Sequence, residues 1–278
     1  MKLLIILFVA IAAFRAAARD PERVQAGDGK TIVREFSDDD SLKSVSHFDA
    51  KGELLDTLYY APTGIPTHLD SFDDRKCVTS TQTLKDDGTP IGKYHFDEHG
   101  NTVFVESFTF KDGKGAADSL PATDRLKFLT TAGNISFTVD GAWKIMTLQP
   151  QLPIATVGFQ IQNPADESAP DSTNFAVSLY DASSDPASKA AKKALGGLLV
   201  KGSDVKVKKT RHGDWEQWSY PGKQDKTSCQ VLDADKKIGG VIVGLRLAWP
   251  KLPKKPANYD ASMEAIFLSV LDSVAEEK

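Results

Sequence analysis

One large apolar residue returns every 12 positions through the first half of the chain, as Phe36, Phe48, Tyr60, Phe72, Leu84, Phe96 and Phe108. A glycine stands four places after Phe48, Tyr60, Leu84 and Phe96, namely Gly52, Gly64, Gly88 and Gly100. The triplets between, such as Asp49-Ala50-Lys51, Lys85-Asp86-Asp87 and Asp97-Glu98-His99, are rich in turn formers. An apolar residue, a polar turn closed by glycine and a short run of strand formers make one strand and one reversal per unit. The region therefore reads as a repetitive antiparallel β-meander, a recognition surface rather than a reaction vessel.

The first residues bear on the compartment. Met1-Lys2 carries one positive charge, Leu3 to Phe14 is apolar, and Ala16-Ala17-Ala18 offers a small-residue cleavage site before Arg19-Asp20. Residues 1–18 read as a signal peptide. An uncleaved membrane anchor is the competing reading, but Arg15 interrupts the run well short of the roughly 20 apolar residues a span needs. Expected is a periplasmic or secreted protein with no stable membrane insertion after cleavage. The formal charge of -4 hides a polarity along the chain. From Phe36 to Ser119 there are 16 acidic and 8 basic residues, a net of -8, whereas Lys201 to Lys255 holds 13 basic and 6 acidic, a net of +7. Such a chain docks its own halves together, presents a charged face to a partner, or simply carries two solvated surfaces.

Residues 20–112 are assigned to the β-repeat domain. Gly113-Lys114-Gly115-Ala116-Ala117-Asp118-Ser119 opens a linker over 113–134, and residues 135–278 form a second domain of alternating strands and helices. Ile135 to Thr147, Ile154 to Gln162 and Phe175 to Tyr180 read as strands. Ser184-Asp185-Pro186 starts a helix with Ala187, Ala190, Ala191, Ala194, Leu195 and Leu198 on its apolar face. Val205 to Thr210, Trp215 to Tyr220, Cys229 to Asp233 and Ile238 to Trp249 continue the sheet. A last helix, capped by Asp260, places Met263, Ile266, Phe267, Val270, Leu271 and Val274 on one stripe. The fold class expected is α+β: a repetitive antiparallel β-meander followed by an antiparallel sheet packed with helices.

Phe48-Asp49-Ala50-Lys51-Gly52 and Phe96-Asp97-Glu98-His99-Gly100 share an aromatic-Asp-x-x-Gly signature. It resembles the YD-type repeats of bacterial surface and toxin shells and the variant MORN repeats of some bacterial antitoxin-like proteins. The unit at Phe72 departs from it, with Lys76 where glycine is expected, and Leu84 replaces the aromatic. The element order of the second half, with Phe175-Ala176-Val177-Ser178-Leu179 before the first helix and Gly240 to Trp249 before the last, resembles the PsbP-like fold. That resemblance implies binding, adaptor or chaperone-like roles and brings no catalytic motif; fold alone licenses no function.

Chemistry at particular residues is thin. Cys77 and Cys229 sit in different halves; in an oxidising compartment they either pair as a disulfide or stay as two buried thiols. His95 and His99 are four apart but read as flanking one turn, and His212 reads as a surface residue at a hairpin turn, so no metal or other cofactor is assigned. Asp38-Asp39-Asp40 reads as a solvated turn rather than a cation site. There is no nucleophile elbow and no phosphate loop. Lys206 and Lys208 form a basic strand face followed by Trp215 and Trp218; an acidic exported protein argues against nucleic acid as its ligand and for an anionic protein surface. Lys206, Lys208, Asp86 and Asp97 are thus the expected partner-binding residues. The function expected is non-enzymatic: an exported bacterial envelope protein that binds another protein, an immunity protein neutralising a secreted toxin being one form. The alternative is a periplasmic metal-dependent or other hydrolase centred on His95, His99 or His212.

Overall fold

The computed structural model describes residues 19–110, 122–161, 173–182, 207–224, 227–252, 254 and 256–277. The segment read as a signal peptide, residues 113–121 of the expected linker, the helix expected from Ser184 and Lys206 lie outside the described residues.

The first sheet is a meander in chain order: β1 (Glu22–Gln25), β2 (Thr31–Phe36), β3 (Leu42–Phe48), β4 (Leu54–Tyr60), β5 (Pro66–Phe72), β6 (Val78–Leu84), β7 (Pro90–Phe96), β8 (Thr102–Thr109), β9 (Thr123–Thr130) and β10 (Gly133–Asp140). A short last strand, β18 (Ala275–Glu277), adds antiparallel to the β10 edge and makes 11 strands. The second sheet has the order β11 (Lys144–Gln149), β12 (Ile154–Ile161), β13 (Thr173–Asp181), β17 (Val241–Pro250), β16 (Thr227–Ile238), β15 (Trp215–Gln224) and β14 (Lys208–His212). Helix α1 (Tyr259–Ser273) is the only helix among the described residues.

The turns explain the 12-residue spacing. In the β3–β4 turn the Asp49 N–H donates to the Glu53 carbonyl at 2.9 Å and the Gly52 N–H to the Asp49 carbonyl at 3.1 Å, and the same pair of bonds recurs in the other turns from β1 to β8. The position Gly52 fills has φ +85°, so the unit is a tight turn with a glycine bulge. From Phe36 to Phe96 each ladder residue then faces the first residue of the next strand, as Phe36 with Leu42, Phe48 with Leu54, Tyr60 with Pro66 and Phe72 with Val78. In these examples an apolar pair closes the hairpin beside its turn. Two turns reach the left-handed conformation without glycine, through Lys76 (φ 64°) and Asp40 (φ 67°).

A longer period underlies the shorter one. Strand direction alternates, so turns 24 residues apart share one end of the sheet, and at that end Asp49, Asp73 and Asp97 play one role. Each offers Oδ1 to two backbone N–H groups, those two and four residues on, at 2.8–3.0 Å. The aromatic-Asp-x-x-Gly signature belongs to alternate turns, with Lys76 standing in for glycine in the middle copy.

The expected α+β class is corrected here. The chain forms two large antiparallel sheets with one described helix rather than a PsbP-like sheet packed with helices. Residues 123–130, inside the span read as a linker, are β9, which pairs along its whole length with β10 and from Thr123 to Phe128 with β8. The run Ile135 to Thr147 is two strands in different sheets, with the chain crossing between them at Asp140 to Lys144. Phe104, Leu126, Phe128, Ile135 and Phe137 of the first sheet join Val157, Phe175, Val243 and Leu245 of the second and Met263, Phe267 and Val270 of α1 in one core. The sheets also meet at Gly240, whose N–H donates to the Ala132 carbonyl at 3.1 Å. A Cβ at Gly240 would lie 2.5 Å from that oxygen, so glycine is required for the close approach.

Candidate binding surface of the large sheet

From β3 to β7 no apolar side chain is fully buried; the buried residues with side chains there are Ser44, Thr57, Ser80 and, just before β7, Thr89. Strand register fixes the faces. Ser46, Thr57, Asp70, Thr81, Tyr94 and Val105 form one row across six strands, and Ser44, Tyr59, His68, Thr83, Gly92 and Ser107 form the next row on the same face. The rows are held internally: Ser46 bonds Thr57 at 3.0 Å, the Thr81 hydroxyl donates to Asp70 at 2.6 Å, and Tyr59 stacks on His68 at 4.5 Å between ring centroids. Burial and the nearby Asp70 and Glu35 carboxylates raise the Tyr59 pKa, so the ring stays a neutral phenol.

At its β9 end this face dips into a hollow of about 460 Å³ lined by Tyr94, Val105, Ser107, Arg125, Lys127, Leu129 and Glu277. Tyr94 is 40% exposed, a large amount for an aromatic ring in mid-sheet. Glu277 of β18 enters between two cations, accepting from Arg125 Nη2 at 2.6 Å and lying 2.5 Å from Lys127 Nζ. Hydrogen bonds from Lys127, Ser136 and Arg125 pull its carboxyl pKa down to about 2.

The opposite face carries a different chemistry. His95, read from sequence as part of a solvated turn, lies within β7 instead. Its Nε2 is 2.6 Å from Glu106 Oε1 and its ring is 5.7 Å from that of Phe104. Beyond Glu106, Asp124 is buried with Oδ1 lacking a hydrogen-bond partner, and burial followed by the Glu106 and Asp140 charges pushes its pKa up to about 7. His99 is exposed in the β7–β8 turn, so the two histidines do not converge. No group of three or more metal-ligating side chains occurs among the described residues. His212 ends β14 and ties it to α1 through Asp272 Oδ1 at 2.7 Å.

Of the four expected partner-binding residues, the three that are described, Lys208, Asp86 and Asp97, are not brought together. Lys208 is exposed at the start of β14 in the second sheet, Asp86 is exposed in the β6–β7 turn, and Asp97 at the opposite end of the meander is engaged with its own turn. Asp38 to Asp40 form the β2–β3 turn, where the Ser37 and Ser41 hydroxyls hold Asp39 at about 2. Cys77 is an exposed free thiol in the β5–β6 turn and Cys229 a buried free thiol in β16, so the disulfide alternative is not realised. Burial raises the Cys229 pKa and keeps it a thiol. Trp215 is in the core, whereas Trp218 is half-buried with Lys209 Nζ 5.6 Å from its ring centre. Arg125 and Lys127 escaped the sequence reading, although Asp124-Arg125-Leu126-Lys127-Phe128 alternates as a strand should.

No family model and no curated protein matches this chain. Among solved structures it is similar to an accessory secretory protein 1, 2 and 3 structure of Streptococcus pneumoniae (18% identity, 42% of this chain, 21% of that one, TM-score 0.28). It is similar also to a protein of Bacteroides thetaiotaomicron (14%, 52% and 45%, TM-score 0.29) and to LpqN of Mycobacterium tuberculosis, involved in cell envelope biogenesis (9%, 65% and 88%, TM-score 0.25). The chain spans less than half the length of the first two. At these TM-scores the likeness carries no argument about fold or role. No helix among the described residues is long and apolar enough to cross a membrane.

Proposed function

We propose that this is a non-enzymatic, exported envelope protein that binds another protein through the open face of its large sheet. The observation that carries the reading is the uncovered stretch from β2 to β7. Six strands about 4.8 Å apart and roughly 24 Å long present on the order of 700 Å² per face, close to the roughly 800 Å² each partner buries in a stable complex. Tyr59, His68 and Tyr94 supply aromatic anchors. The likeness of the turns to YD-type and variant MORN repeats supports the same reading. Lys206, Lys208, Asp86 and Asp97 retain a role in it as steering charges: reversing them should slow association and flatten its salt dependence without changing dissociation.

The test is a partner captured by crosslinking in the producing cell's envelope, followed by binding kinetics on the purified pair. Tyr59→Ala and Tyr94→Ala should each weaken affinity at least tenfold, and His99→Ala should leave it unchanged. Unaltered binding in both tyrosine variants overturns the proposal; loss of function in His95→Ala alone would favour the hydrolase alternative, since His95 and Glu106 are the acid–base pair such an enzyme would draw on. The narrower form, an immunity protein, predicts that the partner is toxic to cells lacking this chain. A harmless partner removes that form only.

A further inference from the structure

We propose that β18 is a built-in stand-in for an extended acidic segment of the partner, which replaces it on the β10 edge. The inference rests on the binding reading above and names the partner's chemistry. β10 has eight residues, yet β18 covers only Asn134, Ile135 and Ser136. A strand this short exposes few backbone hydrogen bonds to break, and local opening of such elements is the low-cost end of native motion. Its main side-chain hold on the first sheet is Glu277 between Arg125 and Lys127; Arg125 is 62% exposed, so water and salt screen that half of the contact, while the Lys127 half is more sheltered. Removing β18 would leave two cations beside the Tyr94 and Leu129 side chains and three backbone positions free for strand addition.

The slot has a shape as well as a charge. On its other side Glu276 lies over Gly239, where a Cβ would come within 2.5 Å of Glu276 Oε1. An entering strand therefore needs a carboxylate at the Glu277 position and meets bare backbone at the next. Thr138, farther along β10, already donates its N–H to Ser273 Oγ at 2.8 Å, which limits the addition to the three residues β18 now occupies.

The probe is a labelled, end-capped peptide with the sequence of residues 273–278, Ser-Val-Ala-Glu-Glu-Lys, titrated by fluorescence polarisation into the full chain and its Glu277→Lys variant. Glu277→Lys should bind the peptide at least ten times more tightly than the parent. Binding should fall at least tenfold when the second glutamate of the peptide is changed to glutamine, or when Arg125→Ala and Lys127→Ala are added. Glu277→Gln serves in place of Glu277→Lys if the latter melts early. No binding to a folded Glu277 variant, or binding indifferent to Arg125 and Lys127, overturns the inference. Because Tyr59→Ala tests the wider face away from the slot, a partner that still responds to it while the peptide never binds leaves the binding reading standing.

Discussion

The large sheet is one hydrogen-bonded array with two different ends. Strands β3–β7 leave their apolar residues half-buried and bury Ser44, Thr57 and Ser80, whereas β8–β10 bury Phe104, Leu126, Phe128, Ile135 and Phe137 almost completely. The difference lies in what covers them. The second sheet and α1 lie against β8–β10, and apolar side chains there leave water at about 25 cal/mol per Å². Strands β3–β7 have cross-strand pairs and tight turns, each contributing roughly 0.2–1 kcal/mol. One end is held by its core, the other by repetition, and the open end leaves its face uncovered.

The largest contrast should come from truncating a large side chain on each side. Phe137→Ala should cost about 3–5 kcal/mol in urea unfolding, and Leu58→Ala in the open stretch only about 1 kcal/mol. Equal losses would show that the meander is not the weaker end. Next comes the buried carboxylate at the boundary. The Asp124 pKa rises from 3.8 to about 7 on folding, so its protonated form is the one the fold favours. The group costs nothing below about pH 4, and stability falls as pH rises from there to about 7 and is level above it. The Asp124→Asn variant should therefore match the parent at pH 4 and exceed it at pH 8. The ceiling is about 4 kcal/mol, from roughly 3 pKa units at about 1.4 kcal/mol each. A gain independent of pH would place its cause in packing instead. The smallest effect belongs to the turns. Lys76→Gly should stabilise the chain by about 0.5–1 kcal/mol, since glycine meets no penalty at φ 64°. A loss would mean that the Lys76 side chain does more than occupy the bulge.

Legibility in the sequence followed the same divide. The ladder from Phe36 to Phe108 and the glycines after it mark strand ends and turns because each unit is governed by a few consecutive residues. The stripe on α1 was equally plain, with Met263, Phe267, Val270 and Leu271 buried. Three features were misread. Glycines at 113 and 115 suggested a linker that extended too far, over the alternating pattern of β9. Ile135 to Thr147 was read as one run, although Asp140-Gly141 inside it is a turn signal and marks where the chain leaves one sheet for the other. His95 was tied to its neighbour His99 by spacing, although its partner is Glu106 on the next strand.

By itself, the sequence determined the pitch of the meander, the placement of its reversals and the apolar stripe of the last helix. These depend on backbone conformation and side-chain pattern over fewer than a dozen residues. Only the tertiary structure decided which strands acquire a second layer, which carboxylate is buried with an oxygen left unpartnered, and where Glu277 docks. Glu277 meets Arg125 across 152 positions of chain, and no local pattern carries that distance. Such contacts depend on how sheets and helix fill shared space, and that is a property of the assembled core.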